Sequence, residues 1–187
     1  MEDRYCSKCG TAYVGQSGVW PRKCHDCDAI RYSNPVPVVV MLIPVMNDEG
    51  VRGVLICHRK DKKQWALPGG CIESKDKDWR IAAAREIDEE TGFIIKPAFV
   101  KCFDIQSSPV SDCVILYGHY DLLVKHEDLP KPLGNGPPKL NEDDEIGEIR
   151  VAYKPEELAF PLHTAMLKRY FRSSGTFKSP SGLTLTS

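Results

Sequence analysis

The first 34 residues carry few apolar side chains, chiefly Tyr5, Tyr13, Val14, Val19, Trp20 and Ile30. Such a segment buries too little surface to fold on hydrophobic contact alone. Asn34-Pro35-Val36-Pro37 follows as a stiff junction. The pattern then changes. Residues 38–45 are a β-branched apolar run and predict a strand. Residues 53–58 predict a second strand after the turn Asn47-Asp48-Glu49-Gly50. Residues 79–90 switch to a helical period, with Asp78 as N-cap and Ala83, Ala84 and Ile87 on one core-facing arc. Residues 93–105 and 114–124 read as a long strand pair, and 126–145 as a loop. A last strand over 146–153 and a helix over 161–172 complete the pattern. Residues 173–187 are rich in Ser, Thr and Gly and are expected to be a disordered tail. Strands on both sides of one helix, with another helix near the end, fit an α/β/α sandwich.

Composition narrows the function classes. The chain has 187 residues and a net charge of −1, too little to coat nucleic acid. In the first segment Arg4, Lys8, Arg22, Lys23 and Arg31 are offset by Glu2, Asp3, Asp26 and Asp28, so a nucleic-acid partner is not expected. No run of eighteen apolar residues occurs, which excludes a helical membrane span. The polar N-terminus has no leader-like apolar stretch, and a cytoplasmic location is expected.

Cysteine usage changes the picture of the first segment. Cys6, Cys9, Cys24 and Cys27 form two Cys-x-x-Cys pairs, fourteen residues apart. That is close to zinc-ribbon spacing, and four thiolates suit a closed, structural Zn²⁺. His25 lies inside the second pair and is not expected to be a ligand. Cys57, Cys102 and Cys113 sit in apolar runs and read as core, while Cys71 follows the turn Leu67-Pro68-Gly69-Gly70. Trp65 and Trp79 also read as core. Tyr117, His119 and Tyr120 are given no chemistry.

Residues 85–93 read Arg-Glu-Ile-Asp-Glu-Glu-Thr-Gly-Phe. Glu86, Glu89 and Glu90 fall within a single helical turn. Like charges so close repel, and a hard divalent cation such as Mg²⁺ or Mn²⁺ removes the repulsion. Gly92 supplies a left-handed end to the helix. The stretch resembles the signature box of the Nudix hydrolases, G-x5-E-x7-R-E-U-x-E-E-x-G-U with U apolar. Between Gly70 and Arg85 there is one residue more than the box allows, so its first glutamate falls on Asp76 or Lys77, and Asp76 or Glu73 is expected to substitute.

The resemblance implies a Nudix α/β/α sandwich with a mixed sheet over residues 35–172, preceded by a small zinc ribbon over 1–34. It implies an enzyme that hydrolyses a nucleoside diphosphate linked to another moiety. Glu86, Glu89 and Glu90 would hold Mg²⁺ or Mn²⁺, with Gly69 or Gly70 adding a backbone carbonyl. Arg85 would orient Glu89 across one turn. A distal acid would come from Glu142 or Asp143. A ribbon before such a domain resembles the subgroup acting on NADH, ADP-ribose or FAD. The subgroup's NADH motif, S-Q-P-W-P-F-P-x-S, is represented here by Gln106-Ser107-Ser108-Pro109, without its aromatic residues. ADP-ribose and FAD therefore remain open. Many relatives are dimers, so a homodimer is an expectation. The competing reading is a non-catalytic nucleotide-sensing module.

Overall fold

The computed structural model describes residues 4–16, 18–130 and 146–173. The chain divides into two compact units, Met1–Pro35 and Val36–Ser187.

The first unit is built from two like turns. Gly10 N–H donates to the Cys6 carbonyl at 2.9 Å, and Asp28 N–H donates to the Cys24 carbonyl at 3.0 Å. Gly10 and Asp28 both adopt positive φ, 79° and 56°. Asp is one of the few side-chain-bearing residues that tolerate this region. Two short strands, β1 (Arg22–Lys23) and β2 (Ile30–Arg31), pair antiparallel around the second turn. The buried cluster is small: Cys6, Tyr13 and Cys24.

The second unit contains β3 (Val36–Leu42), β4 (Pro44–Met46), β5 (Arg52–Arg59), β6 (Gln64–Ala66), β7 (Gly69–Cys71), β8 (Val100–Ser107), β9 (Cys113–Tyr120), β10 (Val124–Lys125) and β11 (Ile146–Ala152). Its helices are α1 (Trp79–Thr91) and α2 (Pro161–Ser173). One sheet runs β7-β3-β9-β8. The other runs β10-β4-β5-β11, with β6 added on β5. β3 pairs parallel with β9 and β10 parallel with β4, so both sheets are mixed. The α/β expectation with a mixed sheet holds.

Alternation along β3 sorts the core into two layers. Val39 and Met41 pack in a cluster with Ala82, Ala83 and Ile87 of α1. Val40 and Leu42 pack in another with Met166, Leu167 and Tyr170 of α2. Each fully buried Leu or Ile contributes roughly 1.5–3 kcal/mol by removal from water. Among the described residues, no helix is long and apolar enough to cross a membrane.

Several expectations need correction. The apolar run at 38–45 is not one strand. It divides at Ile43, so that β3 joins one sheet and β4 the other. Residues 93–99 are not strand; Pro97–Phe99 forms a 3-10 turn with proline in its first positions. The glycine turn continues into a strand, because Gly69–Cys71 pairs antiparallel with Val38–Val40. Cys102 is exposed and Cys113 half-buried rather than core. Cys102 lies on β8, the edge strand, beside a register shift between Cys102 and Asp104.

Candidate active site

Local capping sets the limits of α1. The Asp78 carboxylate accepts from Arg80 N–H at 2.8 Å, and Gly92 ends the helix at φ 67°. The Arg80 guanidinium beside Asp78 holds its carboxyl down at about 2. The buried arc is Ala82, Ala83, Ile87 and Thr91, with Ala84 only half-buried. Arg85, Glu86 and Glu90 are half-buried at the edge of that arc, and Glu89 is exposed beyond it.

Arg85 is the node of this surface. Its guanidinium has five N–H donors. Nε and one terminal nitrogen take both Asp76 oxygens at 3.2 and 2.8 Å. That terminal nitrogen also donates to the Cys71 carbonyl at 3.0 Å. The other donates to Glu86 at 2.8 Å and to Glu89 at 2.9 Å. All five donors are therefore engaged. The expected Arg85–Glu89 contact is present, as one of several. Asp76, with its side chain 4 % exposed, takes the supporting place, whereas Glu73 stays at 3.7 Å and half-exposed. The extra residue before the helix is absorbed in a turn in which Glu73 N–H donates to the Asp76 carboxylate at 2.9 Å.

The glycines meet the helix directly. Gly69 has φ 144°, and a Cβ there would lie 2.1 Å from the Val39 carbonyl oxygen. Its N–H donates to Glu90 at 2.7 Å. At Gly70 a Cβ would meet the Glu86 carboxylate at 2.3 Å. Only glycine lets the β7 backbone approach the carboxylates this closely. Enclosure against β7 raises the Glu86 pKa, and the Arg85 charge opposes the rise.

Glu86, Glu90, Gly69 and Gly70 line a cavity of about 610 Å³. Pattern reading did not single out Arg59, Phe160, Leu162 or His163, which also line it. Arg59 shares the Cys57 side of β5 by period-two alternation, the one local signal available. Burial pushes His163 down to about 3, and its Nδ1 accepts from Leu67 N–H at 3.3 Å. Cys57 and Cys113 line the cavity together with the exposed Cys71. Glu142 and Asp143 lie outside the described residues.

In the first unit the sulfurs of Cys6, Cys9, Cys24 and Cys27 all lie within 4.8 Å of one another. Cys6 and Cys27 are 3.7 Å apart, and Cys9 and Cys24 3.5 Å. Those separations are too long for disulfides. They approach the roughly 3.8 Å edge of a tetrahedron with metal–sulfur bonds of about 2.3 Å. Backbone N–H groups of Cys9 and Lys8 push the Cys6 thiol down to about 6, while burial and the neighbouring sulfurs push Cys27 up to about 12. His25 is exposed and pairs with Asp26 at 3.1 Å, apart from the sulfur set.

The NUDIX domain family matches this chain over residues 35–173. The chain belongs to the NUDIX domain family. Solved structures share the Nudix fold at low identity. A NUDIX hydrolase from Nitrosomonas europaea is 24% identical, covering 92% of each chain with a TM-score of 0.62. A MutT/nudix family protein from Enterococcus faecalis is 19% identical with a TM-score of 0.59. That match covers 78% of this chain but spans only 64% of the Enterococcus protein. The NUDIX domain of Shewanella oneidensis NrtR, solved with ADP ribose, is 14% identical with a TM-score of 0.55, covering 78% of this chain and 91% of that one. No curated protein matches the chain. Nudix hydrolases generally act on nucleoside diphosphate derivatives with divalent metals, and the oxygen donors on α1 suit such ions.

Proposed function

We propose that this chain hydrolyses the pyrophosphate bond of a nucleoside diphosphate joined to a second moiety, releasing a nucleoside monophosphate. The observation that carries the reading is the cavity itself. It joins Glu86, Glu90 and the Gly69-Gly70 backbone in one space large enough for a small-molecule ligand. The NrtR domain bound to ADP ribose is consistent with a substrate of that kind.

The donor set fits Mg²⁺ or Mn²⁺. Asp76, Glu86 and Glu89 bond the one Arg85 guanidinium, and Glu90 lies on the same helical turn, so negative charge is in excess. Such an ion, when bound, neutralises charge on the phosphoryl oxygens and sharpens the attacking water. Glu86, Glu89 and Glu90 would hold it, with the Gly70 backbone beside them. Arg85 fixes Glu86 and Glu89 from the side. Phosphoryl transfer to water needs little else beyond positioning and charge. In the first unit we assign a structural Zn²⁺ to Cys6, Cys9, Cys24 and Cys27, because all four positions of a tetrahedron are taken by sulfur.

A sensor built on the same fold would have no use for a carboxylate face. Retention of Glu86, Glu89 and Glu90 argues against that reading. The deciding experiment incubates the full chain with ADP-ribose, FAD and NADH in Mg²⁺ and assays AMP. Release of AMP that stops in EDTA is expected. Without the aromatic part of the NADH motif, NADH should not be favoured a hundredfold. No AMP from any substrate would reject the hydrolase reading.

A further inference from the structure

The chain crosses from one sheet to the other between β6 and β7. Ala66 is the last residue paired with β5, and Gly69 the first paired with β3. Leu67 and Pro68 belong to neither ladder. Pro68 has no N–H, so Leu67 carries the donor of the crossover. Leu67 is buried, and a buried N–H needs a partner. His163 supplies it from the first turn of α2, through Nδ1 at 3.3 Å.

His163 is itself a fixed point. Thr164 beside it accepts from Leu158 N–H at 2.9 Å, and Met166 and Leu167 pack in the cluster that holds Val40 and Leu42. Because Nδ1 accepts, the ring proton sits on Nε2. Burial, with the Arg59 charge, pushes the ring down to about 3, so the acceptor persists at ordinary pH.

The same short stretch is bonded on every side. The Trp65 carbonyl accepts from Ala159 N–H at 2.8 Å, and the Pro68 carbonyl from Met41 N–H at 2.8 Å. Gly69 N–H then donates to Glu90 at 2.7 Å. Glycine has wide backbone freedom, so neighbouring bonds rather than its own preference aim that N–H. Of these four partners, Ala159 and Met41 use backbone; His163 and Glu90 use side chains.

We propose that His163 is a positioning residue for the carboxylate face of α1: it fixes the Leu67–Gly70 crossover and, through the Gly69 amide, holds Glu90 in place to bind a divalent cation. This rests on the hydrolase reading above and adds a residue from α2 that supports its metal site.

Calorimetric titration of the full chain with Mn²⁺, without substrate, tests it. Asn carries its oxygen at the level of Nδ1, whereas Gln carries it one bond farther, at the level of Nε2. Phe keeps a ring but has no acceptor. His163→Gln and His163→Phe should weaken Mn²⁺ binding by about 10-fold or more, as loss of a group supporting a metal ligand does. His163→Asn should stay near wild type. If His163→Phe does not fold, the Asn and Gln variants still make the comparison. In AMP release the weakened variants should need correspondingly more Mg²⁺ for half-maximal rate, with KM for the nucleotide unchanged. Lower melting temperatures with wild-type Mn²⁺ affinity would make His163 a packing residue and overturn the proposal. Equal losses in Asn and Gln would overturn it too. If wild type releases no AMP, the hydrolase reading falls, and the Mn²⁺ titrations still decide the role of His163. Absence of Mn²⁺ binding by wild type overturns both.

Discussion

Two regions of this chain gather metal-ligating side chains, and they do so in opposite ways. In the first unit four sulfurs converge to within 4.8 Å of one another. On α1 the carboxylates are bound to protein donors instead: Glu86 and Glu89 share one Arg85 nitrogen, while Glu90 accepts from the Gly69 amide. The difference follows from what else holds each unit. The first has a buried cluster of Cys6, Tyr13 and Cys24, so the sulfurs themselves are its core. The second has two apolar layers, one against each helix. Its carboxylates lie outside those layers, held by Arg85 and by the Gly69 amide. A closed soft-ligand set stabilises structure, and an open hard-ligand set is free for chemistry.

The sharpest way to break this contrast is Cys24→Ser. Structural zinc in small domains is worth on the order of 10 kcal/mol of folding free energy. The variant should lose its metal on elemental analysis, and residues 1–35 should become sensitive to protease. The second unit should melt as before. A zinc-free wild type with a protease-resistant first unit would contradict the assignment.

The contrast was only partly legible in sequence. The ends of α1 were, because capping is local: Asp78 and Gly92 announce them through their own backbone preferences. The four cysteines were legible because their spacing is itself the signal. Division of the 38–45 run at Ile43 was not, since it depends on partners far along the chain: β9 for β3 and β10 for β4. Nor was the full role of Arg85 legible. Its Asp76 contact arises in the loop that carries the extra residue, where counting along the box gives two answers. The cavity wall was the least legible part, because its residues come from separate strands, a hairpin and α2. The acids at 142 and 143 fall outside the described residues.

A smaller perturbation sharpens the open site. Arg85→Lys keeps the charge but replaces a five-donor fork with a point charge. Side chains that orient metal ligands typically matter by about 10- to 100-fold. We expect a fall of that size in kcat with little change in KM. An unchanged kcat would mean that Arg85 serves the fold alone.

The smallest expected effect is electrostatic, at the start of α1. Asp78 has a folded-state pKa of about 2, depressed by Arg80. The unfolded value is about 3.9. A depressed acid contributes stability that is present above the unfolded pKa and lost as pH falls through the folded one. Asp78→Asn preserves the cap but removes the charge. Its destabilisation relative to wild type should be full above about pH 5, shrink through the range between the two values, and vanish only near pH 1, as read from thermal unfolding across that range. A difference that does not change with pH would assign the effect to packing.

We propose that Glu86, Glu89 and Glu90 of α1 support metal-dependent pyrophosphate hydrolysis. The most direct measurement is kcat for AMP release by wild type, Glu89→Gln and Glu90→Gln at saturating Mg²⁺, with thermal unfolding of each. Loss of charge stabilisation at a phosphoryl centre should lower kcat by on the order of 10²-fold or more in each variant, with melting temperatures close to wild type. Wild-type turnover in either well-folded variant, or in EDTA, would contradict the account.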